Sequence, residues 1–344
     1  MTEKASAGTA STGTASADVT VIVVTWQGRD LLPACLDSLA AQTMSARVLV
    51  IDNASTDGTT DLLCERYPWA QVHRLDSNTG FAGGVHAALP LIRTPLVALL
   101  NNDARADPDW LAASGRALSE HPDAVAVTAK MLLWTDPIST PPIINNAGVR
   151  LTERGYGTDR GGGEPDGPAF ADAVEVFGFS GGAAVLRTDA VLAVGGMPAE
   201  FFLYYEDTDL AWRLRLSGHR IYYAPEAVVW HRHAASTDRM SESFAYFNER
   251  NRLLLLLRCA PLTFALGQLA RFVVTTGSLM SKRLRRQQVA DAAVFRTRLR
   301  VRVLIGVAGQ LGWALRSRRI ITATAVRDRR AIVAEWVPGR GQLS

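Results

Sequence analysis

The chain has 344 residues, 48% of them hydrophobic and 20% charged, a composition that excludes collagen-like and low-complexity classes for its body. Three cysteines, Cys35, Cys64 and Cys259, have no metal-ligand or redox spacing, so a disulfide framework is excluded and they read as core fillers in a reducing compartment. The net charge of +4 conceals an asymmetry: residues 1–249 carry 18 basic and 30 acidic side chains, net −12, whereas residues 250–344 carry 19 and 3, net +16. A basic tail on an acidic body points to an anionic partner surface, either phospholipid head groups or nucleic acid.

Residues 1–18 are almost entirely Ala, Ser, Thr and Gly and lack an apolar h-region, so they read as a disordered leader and not as a signal peptide. The working part is expected to begin at Val19, in the cytoplasm. VTVIVVTW, from Val19 to Trp26, is rich in β-branched residues and reads as a buried first strand. A helical pattern follows over 31–42. RVLVIDNASTDGT supplies a second strand ending on Asp52, then a helix over 59–67. A third strand over 72–75 leads through SNTGFAGG to a helix over 85–92, and LVALLNNDA gives a strand that runs straight into Asn101, Asn102 and Asp103. Strands alternating with helices at this spacing imply a parallel α/β sheet, and polar groups at strand C-termini mark where such a sheet keeps its ligands.

DPDWLAASGRAL reads as a helix capped by Asp107 with Pro108 in its first turn. After the apolar run 124–130, the Pro- and Gly-rich span 137–167 reads as a long, partly irregular segment with one hairpin, of the kind that forms binding loops. Order resumes at VEVFGFSGGAAVLRTDAVLAVGGM, a strand and a helix ending at Gly195 and Gly196. Beyond residue 250 the sequence mixes leucine-rich and arginine-rich runs, and no uninterrupted apolar stretch reaches the length of a spanning helix. Basic helices with an apolar face lie on a membrane or pack as a cap on the body.

Four features offer chemistry. Asp52 stands just past a strand in IDNASTDGT, where it serves either a ligand or a capped turn, and Asp57-Gly58 has turn chemistry of its own. SNTGFAGG puts three glycines before a helix, which permits close approach of a phosphate or simply a turn, and it lacks both the dinucleotide and the P-loop spacing. Asp103 suits a hard divalent cation shared with a diphosphate, which takes only one or two oxygen ligands from protein. In FFLYYEDTDLAWRLRLSGHR, Asp209 and Arg213 have ion-pair spacing, while Glu206 and Asp207 follow aromatic residues that raise a carboxylate pKa and suit a general base. His231 or His233 in VVWHRHAAS would complete a mixed oxygen and nitrogen site for Mn2+ or Mg2+.

The order of these motifs over residues 19–255 resembles the family 2 glycosyltransferases, most closely the rhamnosyltransferase-like branch that builds bacterial surface polysaccharides. The resemblance implies a GT-A, nucleotide-diphospho-sugar transferase fold: an α/β, Rossmann-like mixed sheet over 19–250, followed by a basic amphipathic helical region over 251–344. It implies that Thr25 and Asp52 hold the nucleotide base, that the loop carrying Asn78, Gly80 and Gly83 lines the nucleotide pocket, and that Asn101 faces the ribose. Asp103 takes the metal-binding position of the DxD motif, whose first carboxylate is an amide here, and His231 completes metal or diphosphate binding. Asp207 is then the catalytic base with Glu206 beside it, and Gly181, Gly182 and Trp212 lie on the acceptor side. His86 stands where relatives often carry Asn.

The implied reaction is inverting and metal-dependent (Mn2+ or Mg2+), moving rhamnose or a related sugar from dTDP-rhamnose or a UDP-sugar to a lipid-linked cell-envelope glycan. The basic tail would then hold the enzyme on the anionic inner face of the cell membrane, and its leucine content favours lipid over nucleic acid. A sugar-nucleotide nucleotidyltransferase would want a basic Gly-rich loop after the first strand, where TWQGRD has one Gly and one Arg. A non-catalytic, membrane-associated sugar-nucleotide binder would not need Asp103, Asp207 and His231 together.

Overall fold

The computed structural model describes residues 18–232, 241–288, 290 and 292–338. The leader expected before Val19 thus lies outside the described residues except for Asp18, and so does His233. Strands β1 (Val19–Thr25), β2 (Arg47–Asp52), β3 (Gln71–Arg74), β4 (Leu96–Leu100), β5 (Ala104–Ala106) and β6 (Ala124–Leu133) come from the first half of the chain. They are followed by β7 (Ile144–Asn146), β8 (Val149–Leu151), β9 (Gly157–Asp159), β10 (Val174–Glu175), β11 (Ala183–Arg187) and β12 (Arg220–His231). Ten of these form one sheet in the order β10-β12-β6-β11-β4-β1-β2-β3, with β5 beside β12 and β7 beside β6. β3, β2, β1 and β4 are parallel, as are β6 and β12, and β11 runs antiparallel between β4 and β6. β8 and β9 form the hairpin of the irregular span.

Helices α1 (Leu32–Ala40), α2 (Thr59–Arg66) and α4 (Trp110–Glu120) accompany one core layer, while α3 (Gly80–Ala88), α5 (Thr188–Ala193) and α6 (Glu206–Leu216) accompany the other. The alternation of side chains along β1 explains the two layers: Val19, Val21 and Val23 enter the first, and Ile22 and Val24 the second. A strand buried on both faces must be apolar at nearly every position, as VTVIVV is. α3 begins five residues before the predicted helix because its glycines are packing residues. A Cβ on Gly84 would stand 2.6 Å from Val24, and one on Gly80 would stand 2.1 Å from the Phe202 carbonyl oxygen.

The C-terminal helices are α7 (Glu242–Cys259), α8 (Leu262–Leu284), α9 (Thr297–Gly309), α10 (Leu311–Thr324) and α11 (Arg329–Trp336). The domain boundary expected at residue 250 falls inside α7. The LLLLL run, Leu253 to Leu257, is buried all round against α6, α9 and α10, so it is core and not a lipid-facing surface. Arg250, Arg252, Arg258 and Arg300 are buried too, so part of the basic tail serves internal hydrogen bonds. No helix among the described residues is long and apolar enough to cross a membrane.

Candidate active site

The connection from β1 runs outward to β2 and β3, and the chain then returns to β4 on the other side of β1. The crevice between the C-terminal ends of β1 and β4 is therefore a topological switch point, where open α/β sheets bind ligands. Asn102 spans it, donating from Nδ2 to Thr25 Oγ1 at 2.9 Å. Gly28 covers this bond so closely that a Cβ there would lie 2.0 Å from Thr25 Oγ1. At the end of β2, the fully buried Asp52 accepts from Ser55 N at 2.9 Å, Thr60 Oγ1 at 2.8 Å and Arg74 Nη1 at 2.5 Å. Burial by itself would raise its pKa, but hydrogen bonds from Ser55 and Thr60 and the Arg74 charge hold it below the usual carboxylate range. Next to it, Asn53 donates to the Gly80 carbonyl and accepts from Thr79, tying the β2 loop to the start of α3.

Beyond β4 the chain turns through Asp103, and β5 carries it alongside the end of β12. Pairing of Ala104 with His231 fixes the two side chains together: Asp103 Oδ1 lies 3.0 Å from His231 Nε2. His231 Nδ1 meets Asn145 Oδ1 at 2.9 Å, which assigns the ring proton to Nδ1 and leaves a lone pair on Nε2. Nε2 lies 3.2 Å from Asn101 Nδ2, and Asp103 Oδ1 is buried without a hydrogen-bond partner. Two electron-pair donors at this separation match adjacent ligands of one octahedral ion, since ligand distances of about 2.1 Å give an edge of about 3 Å. Asp103 and His231 fit a divalent cation. Among the described residues no group of three or more His, Cys, Asp or Glu side chains converges in this way, and two protein ligands are what a cation shared with a diphosphate takes.

Asp207 sits in the first turn of α6, half-buried. Its Oδ2 accepts from Gly181 N at 2.9 Å, and its Oδ1 from Thr208 N at 2.5 Å and Thr208 Oγ1 at 3.0 Å. Burial raises its pKa above the ordinary aspartate value even though these three donors pull the other way. Glu206 is buried with Oε2 unpartnered, and burial first, then the Asp207 charge, hold its pKa well above the glutamate range. One dipeptide joins the two halves of the site: Gly181 N donates to Asp207, and Gly182 O accepts from Asn101 N at 3.0 Å.

The family model for Glycosyltransferase like family 2 matches residues 16–254. The chain belongs to this family. An N-acetylglucosaminyl-diphospho-decaprenol L-rhamnosyltransferase of Mycobacterium tuberculosis, found in two strains, is 28% identical over 257 residues, 69% of this chain and 83% of the relative. Among solved structures, GalNAc-T7 with UDP, GalNAc and Mn2+ is 12% identical with a TM-score of 0.58, covering 86% of this chain and 57% of that one. S. aureus TarS is 18% identical with a TM-score of 0.51, covering 90% and 83%. The fold is the GT-A architecture expected from the motif order, and the protein is a glycosyltransferase.

Within this family 2 glycosyltransferase, several expected residues have protein neighbours that reshape their roles. Gly80 and Gly83 are buried, and a Cβ on Gly83 would lie 2.5 Å from Thr79, so their bareness serves the packing of α3. Asn78 shapes the same turn, accepting from Gly80 N at 2.9 Å. Trp212, expected on the acceptor side, is fully buried against Phe177, with ring centroids 5.4 Å apart, because it lies on the core face of α6. Asp107 does not cap α4: its side chain accepts from Trp230 Nε1 at 2.9 Å, and Asp109 takes the N-cap position. Of the cysteines, Cys35 and Cys259 are core fillers and Cys64 is exposed. His86 meets the Met197 carbonyl at 3.2 Å. Sequence reasoning missed Asn145, whose signal was a polar pair, Asn145-Asn146, at the end of an apolar run.

Proposed function

We propose that the protein is an inverting, metal-dependent glycosyltransferase that moves a sugar from a nucleoside diphosphate donor to a lipid-linked glycan. The observation that carries this reading is the Gly181-Gly182 bridge, which ties a carboxylate of raised pKa to Asn101, the residue whose side chain meets His231. Asp103 and His231 would hold Mn2+ or Mg2+, which would supply positive charge for the departing diphosphate. Asp207 takes the proton of the acceptor hydroxyl while that oxygen bonds to the anomeric carbon and the bond to the nucleoside diphosphate breaks on the opposite face. Beside it, burial and then the Asp207 charge hold the Glu206 carboxyl well above the usual glutamate range.

The name of the mycobacterial relative supports rhamnose as the sugar and a polyprenyl diphosphate as the acceptor anchor, with dTDP-rhamnose or a UDP-sugar as donor. Such an acceptor would place the enzyme on the inner face of the cell membrane. Screening nucleotide sugars for Mn2+-dependent binding identifies the donor. With that donor, Asp207→Asn is expected to lower kcat by about 10²- to 10⁴-fold while nucleoside diphosphate binding persists. Asp103→Ala should abolish the Mn2+ dependence of binding. Folded variants that turn over as fast as the parent would overturn these roles.

A further inference from the structure

The stretch leading into Glu206-Asp207 is strained. Phe202 has φ 64° and ψ −61°, and Leu203 N donates to Phe201 O at 2.7 Å, which makes a γ-turn of the rare positive-φ kind. Tyr204 and Tyr205 follow with φ 69° and 72°, a left-handed conformation that bulky side chains avoid. Three such residues within four positions persist only where the surroundings over-determine them.

The restraint comes from α7, outside the catalytic sheet. Asn251, fully buried, shares the two N–H groups of Nδ2 among three carbonyls of this turn: Phe201 at 2.9 Å, Leu203 at 2.8 Å and Tyr204 at 2.8 Å. Its own orientation is fixed by Arg250 Nε, which donates to Asn251 Oδ1 at 2.9 Å. Arg250 Nη2 adds bonds to the Glu200 and Phe201 carbonyls, and the Phe202 ring stacks on Phe247 with centroids 5.1 Å apart. On its other side the turn meets the donor-side loop, where Ala82 N donates to Phe202 O at 3.1 Å. One turn of α7 therefore grips a strained segment that touches α3 and enters α6 at the base.

We infer that Asn251, oriented by Arg250, is a positioning residue: it holds the 201–205 turn in its left-handed form and so sets the placement of Asp207 against the Asp103–His231 pair. This rests on the catalytic reading above. The C-terminal helices are on this account part of the catalytic apparatus, acting through backbone carbonyls.

The test uses the full chain. Asn251→Ala should lower kcat by about 10- to 100-fold, the scale of a displacement of roughly 1 Å, while Mn2+-dependent nucleoside diphosphate binding changes less than about threefold. Amide exchange over residues 201–208 should quicken at least about tenfold, with the sheet unchanged. Phe202→Gly, which adopts positive φ without strain, should restore at least about a third of the lost kcat in the Asn251→Ala background. A residue of purely structural use would lower stability and leave kcat and local exchange unmoved. Folded Asn251→Ala with parental kcat, or with unchanged exchange over 201–208, overturns the inference. Should Asn251→Ala not fold alone, the double variant decides: folded and active sustains the inference, unfolded or inactive overturns it. Parental activity in Asp207→Asn would instead sink the catalytic reading, so the two failures are separable.

Discussion

Two adjacent carboxylic acids differ in kind because of what surrounds them. Asp207 has three donors and a half-open position, so it can cycle between protonated and ionised forms. Glu206 has an unpartnered oxygen in a closed position, and its pKa is raised by burial and by Asp207. Between the unfolded glutamate value and the raised folded one, the native state holds a proton that the unfolded state has released. Stability from this group is therefore complete below the unfolded pKa and falls as pH rises toward the folded one. Glu206→Gln keeps the shape and removes the titration. The variant should match the parent near pH 4 and become progressively more stable than it as pH rises, as read by urea unfolding across the range. Parallel pH profiles for the two proteins would show that Glu206 is ionised in the fold.

Asp209 shows how elements are joined and why much of that joining was hidden. The i,i+4 spacing to Arg213 was legible, and the pair forms at 2.7 Å with both side chains buried. The second partner, Arg258 from α7, is 49 residues away and carries no local signal. Removing the shared carboxylate leaves two buried guanidinium groups without their counter-charge, which costs about 3–5 kcal/mol. Asp209→Asn should thus lower the unfolding free energy by that amount, read as a lower urea midpoint at unchanged slope, and a loss below about 1 kcal/mol would mean that solvent already screens the triad. The same division between local and distant signals runs through the whole reading. Continuous apolar runs gave β1, β2 and β4, and their polar ends gave Asp52, Asn101 and Asp103, because burial on both faces imposes a pattern that a sequence displays. Which amide orients His231, why α3 needs its glycines, and that Asn251 holds the turn before the base depend on chain segments meeting in space. Trp212 was misplaced for that reason, since a helix rich in charges gave no sign of which face was core.

At the scale of the molecule, the tail divides its charge between interior and surface. The buried arginines lock α7 to the body, so truncation at residue 256 would open the core and cannot report on a membrane. The surface offers a cleaner probe on α8. Leu262, Leu266, Val273, Met280 and Leu284 are all exposed, at spacings of four and seven that align them in one stripe along the helix, bordering its packed side. Lys282, Arg283, Arg285 and Arg286 are exposed at its C-terminal end. An apolar stripe ending in a basic cluster combines two weak attractions to an anionic bilayer, burial of apolar area and about 1 kcal/mol for each basic residue near the surface. The full chain should sediment with vesicles containing phosphatidylglycerol, more weakly with neutral vesicles, and more weakly still as salt shortens the Debye length. Replacing Leu266, Val273 and Met280 together by Gln should weaken vesicle binding at least about tenfold while leaving thermal stability and nucleoside diphosphate binding intact, because these side chains face solvent. Equal sedimentation of the parent and the triple variant would remove α8 as the membrane-facing element and leave the C-terminal helices with their internal task, holding the turn before Asp207.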